Sequence, residues 1–199
     1  MSDNKTTPPN AAEIKRLLDL SAAAMRALSG QADAIARIAD AITHSLRNGG
    51  TLFLCGNGGS ASQCQHAASE LTGRFNLERR GFRAIALTTD TSALTAISND
   101  YGFDTVFARQ VEALARPGDV LLALSTSGTS HNVVKALEKA KGLTVTSIAL
   151  TGPNGGTLAR LADLSLAAPG NSTPQVQECH LAALHVICHV VEQTLAGSP

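Results

Sequence analysis

Asp119-Val120-Leu121-Leu122-Ala123-Leu124, then Ser125-Thr126-Ser127-Gly128-Thr129-Ser130, then Asn132–Lys141 (NVVKALEKAK) is the stretch that decides the fold. The apolar run reads as a buried parallel strand, and the last segment reads as an amphipathic helix. Between them lies a turn of small hydroxylated residues. A strand that ends in such a turn and opens a helix makes an anion site. The N–H groups of the first helical turn lack helical partners, and the helix dipole favours negative charge there. The hydroxyls add donors without bulk, which suits a phosphate monoester. An ordinary Ser/Thr helix cap has the same local composition, so the rest of the chain must decide.

Outward from this segment the pattern alternates. Strands are expected at Thr51–Cys55, Arg83–Leu87, Asp119–Leu124, Thr144–Leu150 and Asp163–Ala167. Helices are expected at Ser60–Thr72, Phe103–Ala115, Ser130–Lys141 and Gly156–Leu161, with a final helix from about Pro174 to Leu195. Such alternation predicts a doubly wound α/β fold, a five-stranded parallel sheet in the order 2-1-3-4-5 covered on both faces. Its ligand crevice lies beyond the carboxyl ends of strands one and three. Those ends carry Gly56-Asn57-Gly58-Gly59-Ser60 and Ser125–Ser130, so the two most suggestive loops fall together. Before the first strand, apolar residues at helical spacing (Ile14, Leu17, Leu18, Ala22, Met25, Leu28, then Ile35, Ile38, Ile42, Leu46) predict a helical pair over residues 11–48. Its apolar stripes are broad enough to need a partner beyond each other.

The chain of 199 residues is expected to form one domain over residues 11–199, with 51–199 as the α/β core and final helix. Residues 1–10, MSDNKTTPPN, read as a disordered polar lead without a signal-peptide core. With 16 basic and 16 acidic residues the formal charge is zero, and no basic block suggests a nucleic-acid surface nor any acidic tail a solvating segment. No apolar run of membrane length is read from the sequence. The cysteines (Cys55, Cys64, Cys179 and Cys188) form no C-x-x-C pair and read as reduced, mostly buried thiols of a cytoplasmic protein.

Other residues could carry chemistry. Asn57-Gly58-Gly59-Ser60 permits positive φ and close approach to a ligand, but it is neither a dinucleotide fingerprint nor a Walker loop. His66 and Glu70 share one helix face. On the final helix Gln177 and His185 are eight residues apart, His189 continues that face, and His180 lies about a turn from Gln177. A His, a Glu, a Gln and a His could converge on a divalent metal, and imidazole with carboxylate suits zinc. The same spacings also describe surface pairs and core histidines. Asn99-Asp100, after Leu94–Ser98, reads as a loop pair at a pocket rim, and Arg74 as either an anion ligand or a surface pair.

Taken in order, G-N-G-G-S at 56–60, H-x-x-x-E at 66–70, L-T-G-R-F at 71–75, N-D-Y-G-F at 99–103, S-T-S-G-x-S at 125–130, L-T-G-x-x-G-G at 150–156 and Q-E-x-H at 177–180 resemble the phosphoheptose isomerases. These are single sugar-isomerase (SIS) domains that convert sedoheptulose 7-phosphate to glycero-manno-heptose 7-phosphate in heptose biosynthesis, for products such as lipopolysaccharide. The resemblance implies that Ser125, Thr126, Ser127 and Ser130 bind phosphate. It implies that Asn57, Gly58, Gly59, Asn99 and Asp100 line the sugar. It further implies that His66, Glu70, Gln177 and His185 hold zinc, with Glu70 as catalytic base in contact with substrate and His185 as acid. It implies a homotetramer with sites at subunit interfaces. Two positions depart from many relatives: Gln63 and Pro174 stand where a carboxylate is common, which bears on sugar stereochemistry. The resemblance also reaches a non-enzymatic adaptor that binds the bacterial replication initiator protein. That adaptor lacks the carboxylate at the position of Glu70 and the His at that of His185; both are present here. Sugar-phosphate-sensing domains of transcriptional regulators, which usually carry a helix-turn-helix domain, and isomerases of other sugar phosphates share the pattern more loosely.

Overall fold

The computed structural model describes residues 10–196. The expected disordered lead therefore lies outside the described residues except for Asn10. That residue caps helix α1 (Ala11–Leu28), its side chain accepting the Glu13 N–H at 2.9 Å. A 3-10 turn at Ser29–Gln31 leads into α2 (Ala32–Arg47), which completes the expected pair.

The remaining elements are β1 (Leu52–Gly56), α3 (Gly59–Thr72), β2 (Ala84–Ala86), α4 (Thr91–Tyr101), α5 (Val106–Leu114), β3 (Val120–Ser125), α6 (His131–Gly142), β4 (Thr146–Thr151), α7 (Gly156–Leu161), β5 (Leu164–Ala167) and α8 (Thr173–Ala196). All neighbouring strands are parallel, in the order β2-β1-β3-β4-β5. The α/β fold and strand order are those expected.

Period-two alternation divides the core between the two faces of the sheet. Leu52, Leu54, Leu122, Leu124, Ile148 and Leu150 pack with buried residues of α1, α2, α3 and α8. Phe53, Cys55, Leu121, Ala123 and Ala149 pack under α5, α6 and α7. Buried Asp119 secures the amino ends of the central strands, accepting the Thr51 and Arg116 N–H groups at 2.7 Å each.

Helix α4 corrects the expectation of a loop before Asn99-Asp100. It is capped by Asp90, which accepts the Ala93 N–H at 2.9 Å, and stopped by Gly102 at φ +82°. Its Thr and Ser residues have modest helix propensity, and none of its residues is fully buried, so its apolar period is weak. Leu94 and Ile97 nevertheless pack on the core from it. A second correction concerns α8, whose 24 residues are long and apolar enough, by length and composition alone, to cross a membrane. It packs against α1, α2 and α3 and buries Gln175, His180 and Glu192, as the core helix of a globular protein does.

Ile38 of α2 is fully buried in the same cluster as the sheet residues. Ile38→Ala is expected to cost about 2–5 kcal/mol. In urea denaturation the helical pair and the sheet are expected to unfold together. Two separated transitions would show that the pair folds as its own unit.

Candidate active site

The chain leaves β1 toward one face of the sheet and β3 toward the other, and a crevice opens between their carboxyl ends. The two loops are joined across it by a reciprocal amide pair. Asn57 Nδ2 donates to Asn132 Oδ1 at 2.8 Å, and Asn132 Nδ2 donates to Asn57 Oδ1 at 2.9 Å. Asn132, in the first turn of α6, is a partner that the sequence reading did not single out. On the β3 side Ser125 is buried, and its Oγ lies 2.9 Å from Ser130 Oγ and 3.3 Å from Ser127 Oγ. Ser130 is the N-cap residue of α6 but makes no side-chain cap bond. Its hydroxyl joins this cluster instead, at a helix N-terminus suited to an anion.

The L-T-G-x-x-G-G segment backs this loop. Gly152 N–H donates to Thr126 O at 3.1 Å, and Leu158 N–H donates to Gly128 O at 2.9 Å. Gly128 has φ +67°, and a Cβ on it would collide with the Gly155 carbonyl. Two backbones thus approach as closely as glycine allows, which sets the curvature of the hydroxyl loop.

Helices α3 and α8 run in parallel, and their facing stripes bring the other expected residues together. Gln177 packs its side chain against Gly59, so closely that a Cβ there would collide with the amide. Gln63 donates from Nε2 to Gln177 O at 2.7 Å, leaving its buried Oε1 without a partner among the described residues. About 10 Å along α3 from Gly59, by the helical rise, His66 Nε2 stands 2.8 Å from His185 Nε2 and 3.4 Å from Glu70 Oε1. The ligand atoms of His66, Glu70 and His185 all lie within 4.8 Å of one another. At 2.8 Å the two imidazole nitrogens cannot both carry protons, so at least one lone pair faces the shared point. Three groups so placed could hold a metal ion, and they are partly open to solvent. The structure thus gathers three of the expected ligands and places Gln177 against the N-terminal part of α3.

A buried ion pair lies at the other end of the contact between α3 and α8. Glu192, with no exposed side-chain surface, accepts the Arg79 Nε at 3.0 Å and the N–H groups of Phe75, Asn76 and Leu77. The pair was not legible from spacing, since Arg79 sits in an irregular polar segment. His180 is equally buried, with Nε2 3.0 Å from Thr151 O and Nδ1 without a partner among the described residues. Burial pushes its pKa down, against the opposing effect of the Thr151 bond, so it stays neutral and ties α8 to the end of β4.

Other expected residues lie elsewhere. Asn99 and Asp100 are exposed in the last turn of α4, where Asn99 Nδ2 donates to Asp100 Oδ1 at 2.8 Å. Arg74 pairs at 3.7 Å with Glu78 on the surface. Each of the four cysteines is free and buried, and burial pushes the Cys55 and Cys188 thiols up to about 12, which makes them poor nucleophiles at neutral pH.

Burial alone would raise the Glu192 pKa, but the three backbone N–H groups and Arg79 outweigh it and hold the carboxyl below its ordinary value of 4.5. A carboxyl depressed in the folded state adds stability above its unfolded pKa and loses it as pH falls through the folded value. Glu192→Gln is therefore expected to lower Tm at pH 7. The difference from the unaltered protein should shrink as pH drops below 4.5. A Tm difference that stays constant from pH 7 to strongly acidic conditions would remove Glu192 from the acid response.

Comparison with known proteins agrees with this geometry. The SIS domain family model matches residues 17–152. The phosphoheptose isomerase of Helicobacter hepaticus is 53% identical over 159 residues, covering 80% of this chain and 81% of the relative. That of Roseiflexus sp. is 49% identical over 183 residues, covering 92% of this chain and 91% of the relative. The solved structure of the phosphoheptose isomerase from Neisseria gonorrhoeae superposes with a TM-score of 0.87 at 40% identity, covering 92% of this chain and 98% of the other. With its sheet order, serine loop and His-Glu-His cluster, the chain belongs to the phosphoheptose isomerases, an enzyme family built on the SIS domain.

Proposed function

We propose that this protein interconverts sedoheptulose 7-phosphate and D-glycero-D-manno-heptose 7-phosphate by proton transfer through an enediol. The observation that carries the reading is the convergence of Glu70 and His185 on His66. It puts a carboxylate and an imidazole within reach of one pair of substrate atoms. A non-enzymatic adaptor has no need of that pair.

In this reading Ser125, Thr126, Ser127 and Ser130 receive the phosphate at the N-terminus of α6. They supply binding energy remote from the reacting carbons. Asn57, Gly58, Gly59 and Gln177 line the sugar, and Asn99 and Asp100 are assigned to the same ligand from α4. Glu70 takes the proton from one carbon and returns it to its neighbour. His185 serves the adjacent oxygen, giving and accepting the proton that the carbonyl and hydroxyl exchange. A well-placed acid–base group contributes ~10²–10⁴-fold.

The donor set suits zinc, which takes His and Glu ligands and in catalytic sites keeps a position open for substrate. His66, Glu70 and His185 would hold the ion, with Gln177 as the remaining member of the set. Bound zinc would supply Lewis acidity toward neighbouring sugar oxygens.

The same proposal includes a homotetramer. Ile14, Leu17, Leu18 and Met25 of α1 and Val186 and Val190 of α8 are exposed. Met25, Val186 and Val190 also line a largely apolar cavity of about 490 Å³. Such a surface is expected to be covered by further copies of the chain. The reaction is assigned to the cytoplasm, where the free thiols suit a reducing compartment. Sugar phosphate and self are the proposed partners, with neither nucleic acid nor membrane among them.

The test is turnover of sedoheptulose 7-phosphate by purified protein, with and without chelator and with zinc restored. Zinc-dependent formation of an aldoheptose 7-phosphate is expected. Glu70→Gln should abolish turnover while phosphate binding persists; retained isomerisation would remove Glu70 from the mechanism. Leu18→Glu should shift the sedimentation of the protein from tetramer to smaller species, and an unchanged tetramer would place the interface elsewhere.

A further inference from the structure

The Arg79–Glu192 pair is more elaborate than a helix strap requires. Arg79 Nη2 donates to Glu70 O at 2.9 Å, and Nη1 donates to Leu71 O and Gly73 O at 2.8 Å each. Glu70 and Leu71 are in the last turn of α3 and Gly73 is its C-cap, where carbonyls lack helical partners and a cation is favoured. The same guanidinium lies 4.1 Å from the centroid of Phe82. Through Nε it meets Glu192, seven residues and so about two turns beyond His185 on α8. Glu192 in turn holds the Phe75 N–H at 3.0 Å. The Phe75 ring then packs on His185, centroids 6.0 Å apart, and on His189 at 6.3 Å. One guanidinium thus grips the backbone of Glu70 directly and reaches the ring of His185 through a carboxylate and a phenyl group.

We infer that Arg79 and Glu192 are positioning residues for the active site, setting the axial register and rotation of α3 against α8 so that Glu70 and His185 meet. The inference rests on the proposed role of the His66, Glu70 and His185 cluster. The physical argument is one of economy. A buried ion pair is commonly replaceable by packed apolar residues without loss of stability. An apolar pair, however, cannot hold a named carbonyl at a named angle. The fork of Arg79 satisfies three carbonyls of one helix end while its Nε binds the other helix, and a Lys ammonium lacks that planar geometry. Ligand-orienting partners of this kind typically change metal affinity by about 10–100-fold when altered.

The experiment uses the full-length protein, Arg79→Lys and Glu192→Gln, each checked for native circular dichroism. Zinc affinity is read by competition with a chromophoric chelator. The imidazole ¹⁵N signals of the metal-free proteins are read by NMR, and kcat and KM are read separately. Arg79→Lys is expected to weaken zinc binding by about 10–100-fold and to lower kcat with KM near its original value. The signals of His66 and His185 should move while those of the exposed His44 and His131 stay. Glu192→Gln keeps the shape and part of the hydrogen bonding, and is expected to give a smaller change in the same direction. If Arg79→Lys does not fold, Glu192→Gln decides by the same signals. Variants that lose Tm but keep unchanged His66 and His185 signals would overturn the inference and leave the pair a purely structural strap. If the unaltered protein takes up no zinc, the metal reading falls on its own, and the metal-free imidazole signals still decide the positioning role.

Discussion

The reversal of winding between β1 and β3 is the constraint on which the rest of the structure depends. A right-handed crossover places α3 on one face of the sheet and α6 on the other. The two loops that precede them must therefore part at the carboxyl edge. Neither loop has a neighbour strand to cover it there, so polar groups are left facing a crevice. The Asn57–Asn132 amide pair bridges that gap with two mutually satisfied hydrogen bonds. The pairing also fixes the spacing between a glycine-rich turn and a cluster of serine hydroxyls. An anion and an attached sugar can then be held at opposite lips of one opening.

The groups proposed to carry the chemistry use a different kind of support. His66, Glu70 and His185 sit on helices rather than loops, and their convergence depends on how α3 and α8 lie on each other. Gln177 against Gly59 at one end, and Arg79–Glu192 at the other, pin the two helices at both ends of their contact. Helix-borne side chains held this way need little reorganisation when charge develops on a substrate. The absence of a Cβ at Gly59 leaves the Gln177 amide its place, since a side chain there would displace that amide.

Much of this was legible before the structure. The apolar runs at Leu52–Cys55 and Val120–Leu124 were readable as buried strands because a parallel sheet covered on both faces leaves no polar alternation. The serine loop by itself read equally as a helix cap, and it stood out because the predicted strand order put it beside the Gly56–Ser60 turn. Helix α4 was not, because its period is weak and it hides in a segment rich in Thr and Ser. Asp90 as a cap and Gly102 as a stop were the available signals. Asn132, Arg79 and Glu192 were invisible for a more basic reason. Each acquires its role from a partner 75 to 113 residues away in the chain, and no local pattern records such a partner.

The sequence by itself determined the layer order, the strand order and the chemical types available at the switch point, since these follow from local periodicity and from the handedness of crossovers. It also determined that a His and a Glu share one helix face, because a spacing of four does so in any helix. Only the tertiary structure decided that this face meets His185, that Gln177 stops at Gly59, and that a buried guanidinium grips the end of the helix carrying Glu70. Those facts depend on the rotation and axial register between two helices far apart in sequence. They are settled by packing and by the need to satisfy every buried charge.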